Sequence, residues 1–248
     1  MSPDDRTCTH HAELPAIAVC TSCGQDICSR CHGIDIRGMA LCRPCQREMA
    51  PPAVPWEADD EETTSLHRFL ETAWAALAGP RSFFRRFRRS PSWLPAASFG
   101  ILCIGIGMLV NTLWQKAFSA DYDETLATYH AEVGVSPEII ELLMIGAIPF
   151  GAVFLYFIHT ALFYLAARTF QVDGANWHRI ATITGYSLAA YLLLVFPPIG
   201  EFSLGHFLMI FWLFNLEVSA VRSLFGLGFW RAIGVVLLPM IVFVLVIG

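Results

Sequence analysis

The residues best equipped for chemistry stand near the start of this 248-residue chain. Seven of its eight cysteines lie between Cys8 and Cys45, and with one histidine they form Cys8-x2-His11, Cys20-x2-Cys23, Cys28-x2-Cys31 and Cys42-x2-Cys45. A two-residue gap lets a tight turn aim two side chains at one ion, about 2.3 Å from each sulfur. Four such pairs offer eight ligands, enough for two closed tetrahedral sites and hence two zinc ions as cofactor. Gly24, Gly33 and Gly38 give the intervening knuckles a permissive backbone. His10 and His32 are spare imidazoles beside ligands, since four-ligand sites are full without them. A saturated site has no open position for water, so the zinc reads as structural and not catalytic. A segment of about 40 residues buries too little apolar surface to fold alone, and metal binding would supply the missing stability. The first residues carry Asp4 and Asp5 and no apolar core, so no secretory signal is expected. The cluster then sits in a reducing cytoplasm, where metal binding is a better reading than disulfides.

The run CTHHAELPAIAVCTSCGQDICSRCHGIDIRGMALCRPC resembles a B-box zinc finger over residues 8–45, at all eight ligand positions. The resemblance implies a cross-brace: Cys8, His11, Cys28 and Cys31 on one zinc, and Cys20, Cys23, Cys42 and Cys45 on the other. Spacing alone also permits sequential pairing, first pair with second and third with fourth. Residues 1–49 are thus expected to form a small zinc-stabilised cross-brace domain, a rigid knob whose job is binding.

What carries this head is of another kind. Residues 1–90 hold 23 of the 37 charged residues, and residues 91–248 hold 14. So apolar a stretch has no polar face to offer water, which excludes a soluble globule or a disordered tail. A net charge of −5 excludes nucleic-acid binding by bulk charge. Residues 50–62 combine three prolines with five acids and read as an extended, solvated linker. Over residues 63–90, Leu66, Phe69, Leu70, Ala73, Trp74 and Leu77 recur at helical steps up to Gly79-Pro80. Beyond them Phe83, Phe84 and Phe87 are ringed by Arg81, Arg85, Arg86, Arg88 and Arg89. Such a segment suits the headgroup plane, with aromatic rings inserted and guanidinium groups on phosphates. The same arginines also serve as a positive-inside flank.

Runs nearly free of charge then predict five spans, about 92–116, 140–167, 179–198, 202–222 and 229–248, each near the 20 or so residues a bilayer needs. The connections alternate between arginine-bearing and arginine-free, which puts the N-terminus inside and the C-terminus outside. The fold expected for 91–248 is an all-α transmembrane bundle of five helices, preceded by amphipathic helices. Glu217 is the costliest residue in it and should face the bundle or pair with Arg222, Arg231, Arg168 or Arg179. His159 reads as a satisfied bundle histidine. Pro149 and Pro239 should kink their spans. Gly100, Gly105, Gly107, Gly146 and Gly151 permit close helix approach. Cys103 is apolar-buried and inert.

PRSFFRRFRRSPSW before the first span, ANWHRIATITGYSLAAYLLLVFPP at the third and RSLFGLGFWRAIGVVLLP at the end resemble the Yip (Ypt-interacting protein) family of five-span proteins, over roughly residues 68–248. The resemblance implies membranes of the early secretory pathway and Rab-type GTPases or sibling proteins as partners in eukaryotes. Fifteen Arg to one Lys point to a GC-rich bacterial genome and its inner membrane, which would remove Rab partners. No nucleophile–base pair, phosphate loop or HExxH motif is present, so the sequence points away from an enzyme. The expected function is an integral membrane adaptor whose cytoplasmic head recruits a protein partner, with the lipid bilayer as its other contact, room for a homo-oligomer, and no nucleic acid. The alternative is a small transporter or channel centred on Glu217, with the head as regulator.

Overall fold

Short antiparallel ribbons build the N-terminal part of the chain. β1 (Thr7–Cys8) pairs with β2 (His11–Pro15), β3 (Ala18–Val19) with β4 (Asp26–Ile27), and β5 (His32–Ile34) with β6 (Ala40–Cys42), before α1 (Arg43–Glu48). The structure, a computed structural model, describes residues 6–34, 39–48, 54–58, 63–85, 92–119, 122–199 and 203–247. It divides into two units, Met1–Ala53 and Val54–Gly248.

Two-stranded ribbons are marginal by themselves. Here Thr9 N–H donates to Asp26 O (3.0 Å), Ile17 N–H to Ile27 O (2.9 Å) and Thr21 N–H to Ala40 O (2.9 Å), tying one ribbon to the next. Among the described residues of this unit, Ile27 and Leu41 are the only fully buried side chains besides six cysteines. There is almost no oil in this core, so something other than apolar burial must hold it.

The second unit is helical: a 3₁₀ turn (Pro55–Glu57), α2 (Ser65–Ala78), α3 (Pro80–Phe84), α4 (Leu94–Phe118), α5 (Tyr122–Val133), α6 (Pro137–Thr169), α7 (Trp177–Ser187), α8 (Leu204–Phe225) and α9 (Phe229–Ile247). Caps are local and readable. Thr64 Oγ1 accepts from His67 N–H, Asn176 Oδ1 accepts from Arg179 N–H, and Gly226 at φ +66° closes α8 in the left-handed region. α4, α6 and α8 are long and apolar enough to cross a membrane, and Phe229–Val242 of α9 is a shorter apolar helix. Pro149 and Pro239 lie inside α6 and α9. The core joins Phe99 of α4, Phe163 of α6, Tyr186 of α7, Leu216 of α8 and Val236 of α9.

Between α7 and α8 the apolar run expected as the third span does not stay α-helical. It continues from Leu188 to Val195 as a 3₁₀ helix of eight residues, longer than such helices usually are. The tighter winding has a larger rise, so residues 177–195 reach about 32 Å, against about 28 Å as pure α-helix.

Two expectations are corrected. Val54–Ala58, read as solvated linker, is bound to the helices. Trp56 N–H donates to Thr72 Oγ1 (2.9 Å), its indole Nε1–H to Pro95 O (2.8 Å), and its ring sits 6.0 Å from both Phe69 and Phe99. Arg68 donates to Ala58 O, and Tyr186 OH donates to Glu57 Oε1 at 2.7 Å. One tryptophan outweighs the acids and prolines around it, because burying its ring against two others is worth more than solvating the turn.

The second correction concerns the aromatic collar. Phe83 and Phe84 are buried in protein, not set among headgroups. α3 has five residues, too few to lie along a surface, and it turns its pair inward so that Phe83 meets Tyr186 edge-on at 5.5 Å. Arg81 and Arg85 remain exposed. Arg86, Phe87, Arg88 and Arg89 lie outside the described residues.

Candidate metal centres and the membrane interior

Two of the two-residue gaps in the head form tight knuckles. After β3, Gly24 N–H donates to Cys20 O (2.8 Å) with Gly24 at φ +73°, which brings Cys20 and Cys23 to one side. After β4, Cys31 N–H and His32 N–H both donate to Cys28 O (3.0 and 2.9 Å). The ribbons then interleave the knuckles. Cys8, His11, Cys28 and Cys31 converge in one group and Cys20, Cys23, Cys42 and Cys45 in another, with the ligand atoms of each within 4.8 Å of one another. First pair meets third, and second meets fourth.

The donor spacing fits zinc. Four ligands about 2.3 Å (sulfur) or 2.0 Å (nitrogen) from a tetrahedral ion stand about 3.5–3.8 Å apart. The observed separations are 3.8 Å for Cys8 Sγ–Cys31 Sγ, 3.7 Å for Cys23 Sγ–Cys42 Sγ, and 3.9, 3.6 and 3.2 Å from His11 Nδ1 to Cys8, Cys28 and Cys31. His10 is turned away, its Nε2 3.1 Å from Gln25 Oε1. Both groups could each hold a metal ion, zinc by the chemistry of the donors.

The charges tell the same story. Burial works against the Cys8 thiolate, yet backbone groups of His10 and Cys28 overcome it and bring the thiol down to about 6. Cys20 also falls to about 6 against burial, through the backbone of Cys42 and Cys23. Cys31 instead rises to about 11, through burial and then the neighbouring sulfurs of Cys8 and Cys28. Cys45 rises to about 12, chiefly through Cys42. Sulfurs packed this closely cannot all ionise unless a cation joins them. That is the electrostatic signature of a site built for a divalent ion.

In the helical unit, the intramembrane residues singled out separately come together. Glu217 Oε1 on α8 and His159 Nε2 on α6 lie 2.5 Å apart, with the residues 0% and 2% exposed. Three of the four expected arginine partners are engaged elsewhere. Arg231 donates to Phe170 O and Gln171 O, Arg179 to Gly174 O, and Arg222 lies over the Phe229 ring. No ion pair between Glu217 and an arginine occurs among the described residues. Nothing local in the sequence joins positions 159 and 217, which is why only the separate costs were legible.

The apolar residues of α2 divide. Phe69 and Ala73 face the core, while Leu66, Leu70 and Trp74, spaced four apart, are exposed, Trp74 by 73%. Trp212 Nε1–H donates to Leu77 O (3.1 Å) and fixes α2 on α8 with that second face outward. A photo-crosslinking residue at Leu70 or Trp74 should therefore label lipid, whereas one at Phe84 should label only protein. Lipid adducts at Phe84 and none at Leu70 would reverse the assignment.

Comparison with known proteins places the helical unit: the family model described as Yip1 domain matches residues 74–248. Neither a curated protein nor a solved structure matches the chain.

Proposed function

The chain belongs to the Yip1 domain family, and from that premise we propose that it is an integral membrane adaptor whose zinc-bound head recruits a protein partner to the bilayer. It is a multi-pass membrane protein, and proteins of its family are in general non-enzymatic and serve membrane traffic, binding Ypt/Rab GTPases. The head is what this chain adds. We read it as a B-box of two zinc sites, residues 1–49, held in the cytoplasm and joined to five spans, with the C-terminus on the far side and the inner membrane of a bacterium as the setting. The eight-residue 3₁₀ helix supports the five-span count, since it gives residues 177–195 the reach of a hydrocarbon layer about 30 Å thick. A Rab-type partner would require a eukaryotic setting, which the Arg-rich composition argues against.

One observation carries the adaptor reading. Two saturated metal groups stiffen a unit that has its own contacts, and that unit shows water an apolar strand face. Ile17 and Val19, two residues apart at β3, are 59% and 41% exposed. Side chains spaced by two share a face, and an exposed apolar pair on a rigid ribbon suits a protein partner better than solvent. Tethering through spans would then raise the local concentration of that partner at the membrane. Crosslinking in intact membranes, followed by capture of the full chain, tests this. A partner held by the native chain should be lost in Ile17→Asp with Val19→Asp while zinc content stays the same. A set of crosslinked proteins that is identical with and without these substitutions would end the adaptor reading.

A second reading, a small transporter or channel working through Glu217, is favoured by the buried contact of Glu217 with His159.

A further inference from the structure

The contact between α6 and α8 is the costliest arrangement in the membrane unit, and neither the zinc groups nor the exposed face of α2 uses it. Glu217 is the one acid fully buried among the described residues. Its Oε1 meets His159 Nε2 at 2.5 Å, and its Oε2, also buried, has no hydrogen-bond partner among the described residues. A carboxylate beside a neutral imidazole leaves one net negative charge in a low-dielectric interior, where an unpaired charge is costly. Among the described residues no lysine or arginine forms an ion pair with Glu217. Arg179 and Arg231 are held by carbonyls and Arg222 lies over a ring. On the 3₁₀ helix, Tyr191 brings no positive charge. On α6, Tyr156 OH is spent on Ala181 O, and the α2 pair His67–Glu71 is exposed and closed on itself. On α7, Tyr186 OH is spent on Glu57. The cheapest neutraliser is an extra proton.

We propose that His159 and Glu217 form an intramembrane proton-binding site. In the empty form Nε2–H donates to a carboxylate and the pair carries one negative charge. One proton binds, no covalent bond between heavy atoms changes, and the pair becomes neutral, an imidazolium beside a carboxylate. Loading strengthens the bond that joins α6 to α8, so the proton biases how these two helices pack. Two further buried hydroxyls without partners among the described residues, Thr184 and Ser187 on α7, keep this interior more polar than a lipid-facing bundle requires. The ring of His159 is held edge-on to Phe163, which fixes its aim at Glu217.

This deepens the transport reading by naming its ion, and it stands without it, because equilibrium binding needs no flux. The test is solid-state NMR of the full chain in bilayers, with ¹⁵N-histidine and ¹³C-carboxyl-glutamate labels, titrated over the pH range in which the fold persists. His159 and Glu217 should change together at one midpoint. In Glu217→Gln the His159 midpoint should move toward acid by at least one pH unit, a tenfold or greater loss of proton affinity, because the imidazolium has lost its anion. His159 and Glu217 signals that never change across that range, in the native chain alone, would overturn the site whatever the variants do. So would a His159 midpoint unmoved by Glu217→Gln. A chain that binds the proton yet passes no ion down a proton gradient keeps this site and loses the transport reading.

Discussion

Cys8→Ala combined with Cys28→Ala is expected to strip one of two zinc ions from the purified chain and leave the other in place. Both sulfurs belong to the group completed by His11 and Cys31, and neither touches the group of Cys20, Cys23, Cys42 and Cys45. Were the pairs joined in sequence, the same two substitutions would cut one ligand from each site and empty both. The mirror test is Cys8→Ala with Cys20→Ala, which should cost both ions under the interleaved arrangement. Elemental analysis of zinc per chain separates the outcomes, and two ions lost in the first variant with one kept in the second would refute the interleaving.

The structural loss should be large. Ile27 and Leu41 are the fully buried aliphatic side chains of this unit among its described residues, and each contributes about 1.5–3 kcal/mol on burial. A structural zinc in a small finger is worth about 10–16 kcal/mol at neutral pH. Chelation should therefore unfold residues 8–45 while the membrane helices keep their helicity, seen as protease cleavage confined to the head. Acid should do the same in two stages. Cys31 and Cys45, at about 11 and about 12 without a cation, hold protons at neutrality that zinc must displace, so affinity falls about tenfold per pH unit for each. Cys8 and Cys20, near 6, are thiolates at neutrality and compete only below that value, so zinc release should steepen there.

How much of this was legible follows from the range over which each signal acts. Zinc knuckles are local, a gap of two residues that a single turn satisfies, and the ligands could be named without a fold. Their grouping was implied by the B-box resemblance alone, because spacing carries no information about which ribbons lie side by side. The apolar helices were legible for the same local reason. Everything that depends on a partner far along the chain was not. The division of α2 into an inner face at Phe69 and Ala73 and an outer one at Leu66, Leu70 and Trp74 depends on what docks on either side, and helical spacing merges the two into one stripe. Trp56 was a lone aromatic in an acidic run, and that isolation was the available sign that it docks. For Glu217 the cost was visible and the partner was not: arginines looked better than a histidine 58 positions away because they carry charge, but Arg179 and Arg231 serve carbonyls and Arg222 lies over a ring.

The glycines divide in the same way, and they set the largest effect expected in the membrane unit. Gly185, at the start of the GYSLAAY run, is where α7 meets α4 backbone to backbone. A Cβ there would lie 2.3 Å from Ala96 O and 2.5 Å from Ala96 C. Opposite it, a Cβ on Gly100 would lie 2.6 Å from Gly185 O, and one on Gly107 would lie 2.4 Å from Tyr191 O. These neighbours are main-chain atoms in helices and cannot rotate aside, so any side chain forces the helices apart. Overpacking a core with a methylene or two costs about 1–3 kcal/mol where side chains can yield. Here they cannot, and Gly185→Val should exceed that range, opening the seam that also seats Phe99 and Phe83 on Tyr186. Gly105 and Gly146 have nothing within 4 Å of their would-be Cβ, so alanine there should be neutral or add up to about 1 kcal/mol through helix propensity. Thermal unfolding in nanodiscs should therefore rank Gly185→Val far below Gly105→Ala and Gly146→Ala. Equal melting of all three would mean that α4 and α7 do not touch as described, and the small residues of the first span would be left with no packing role.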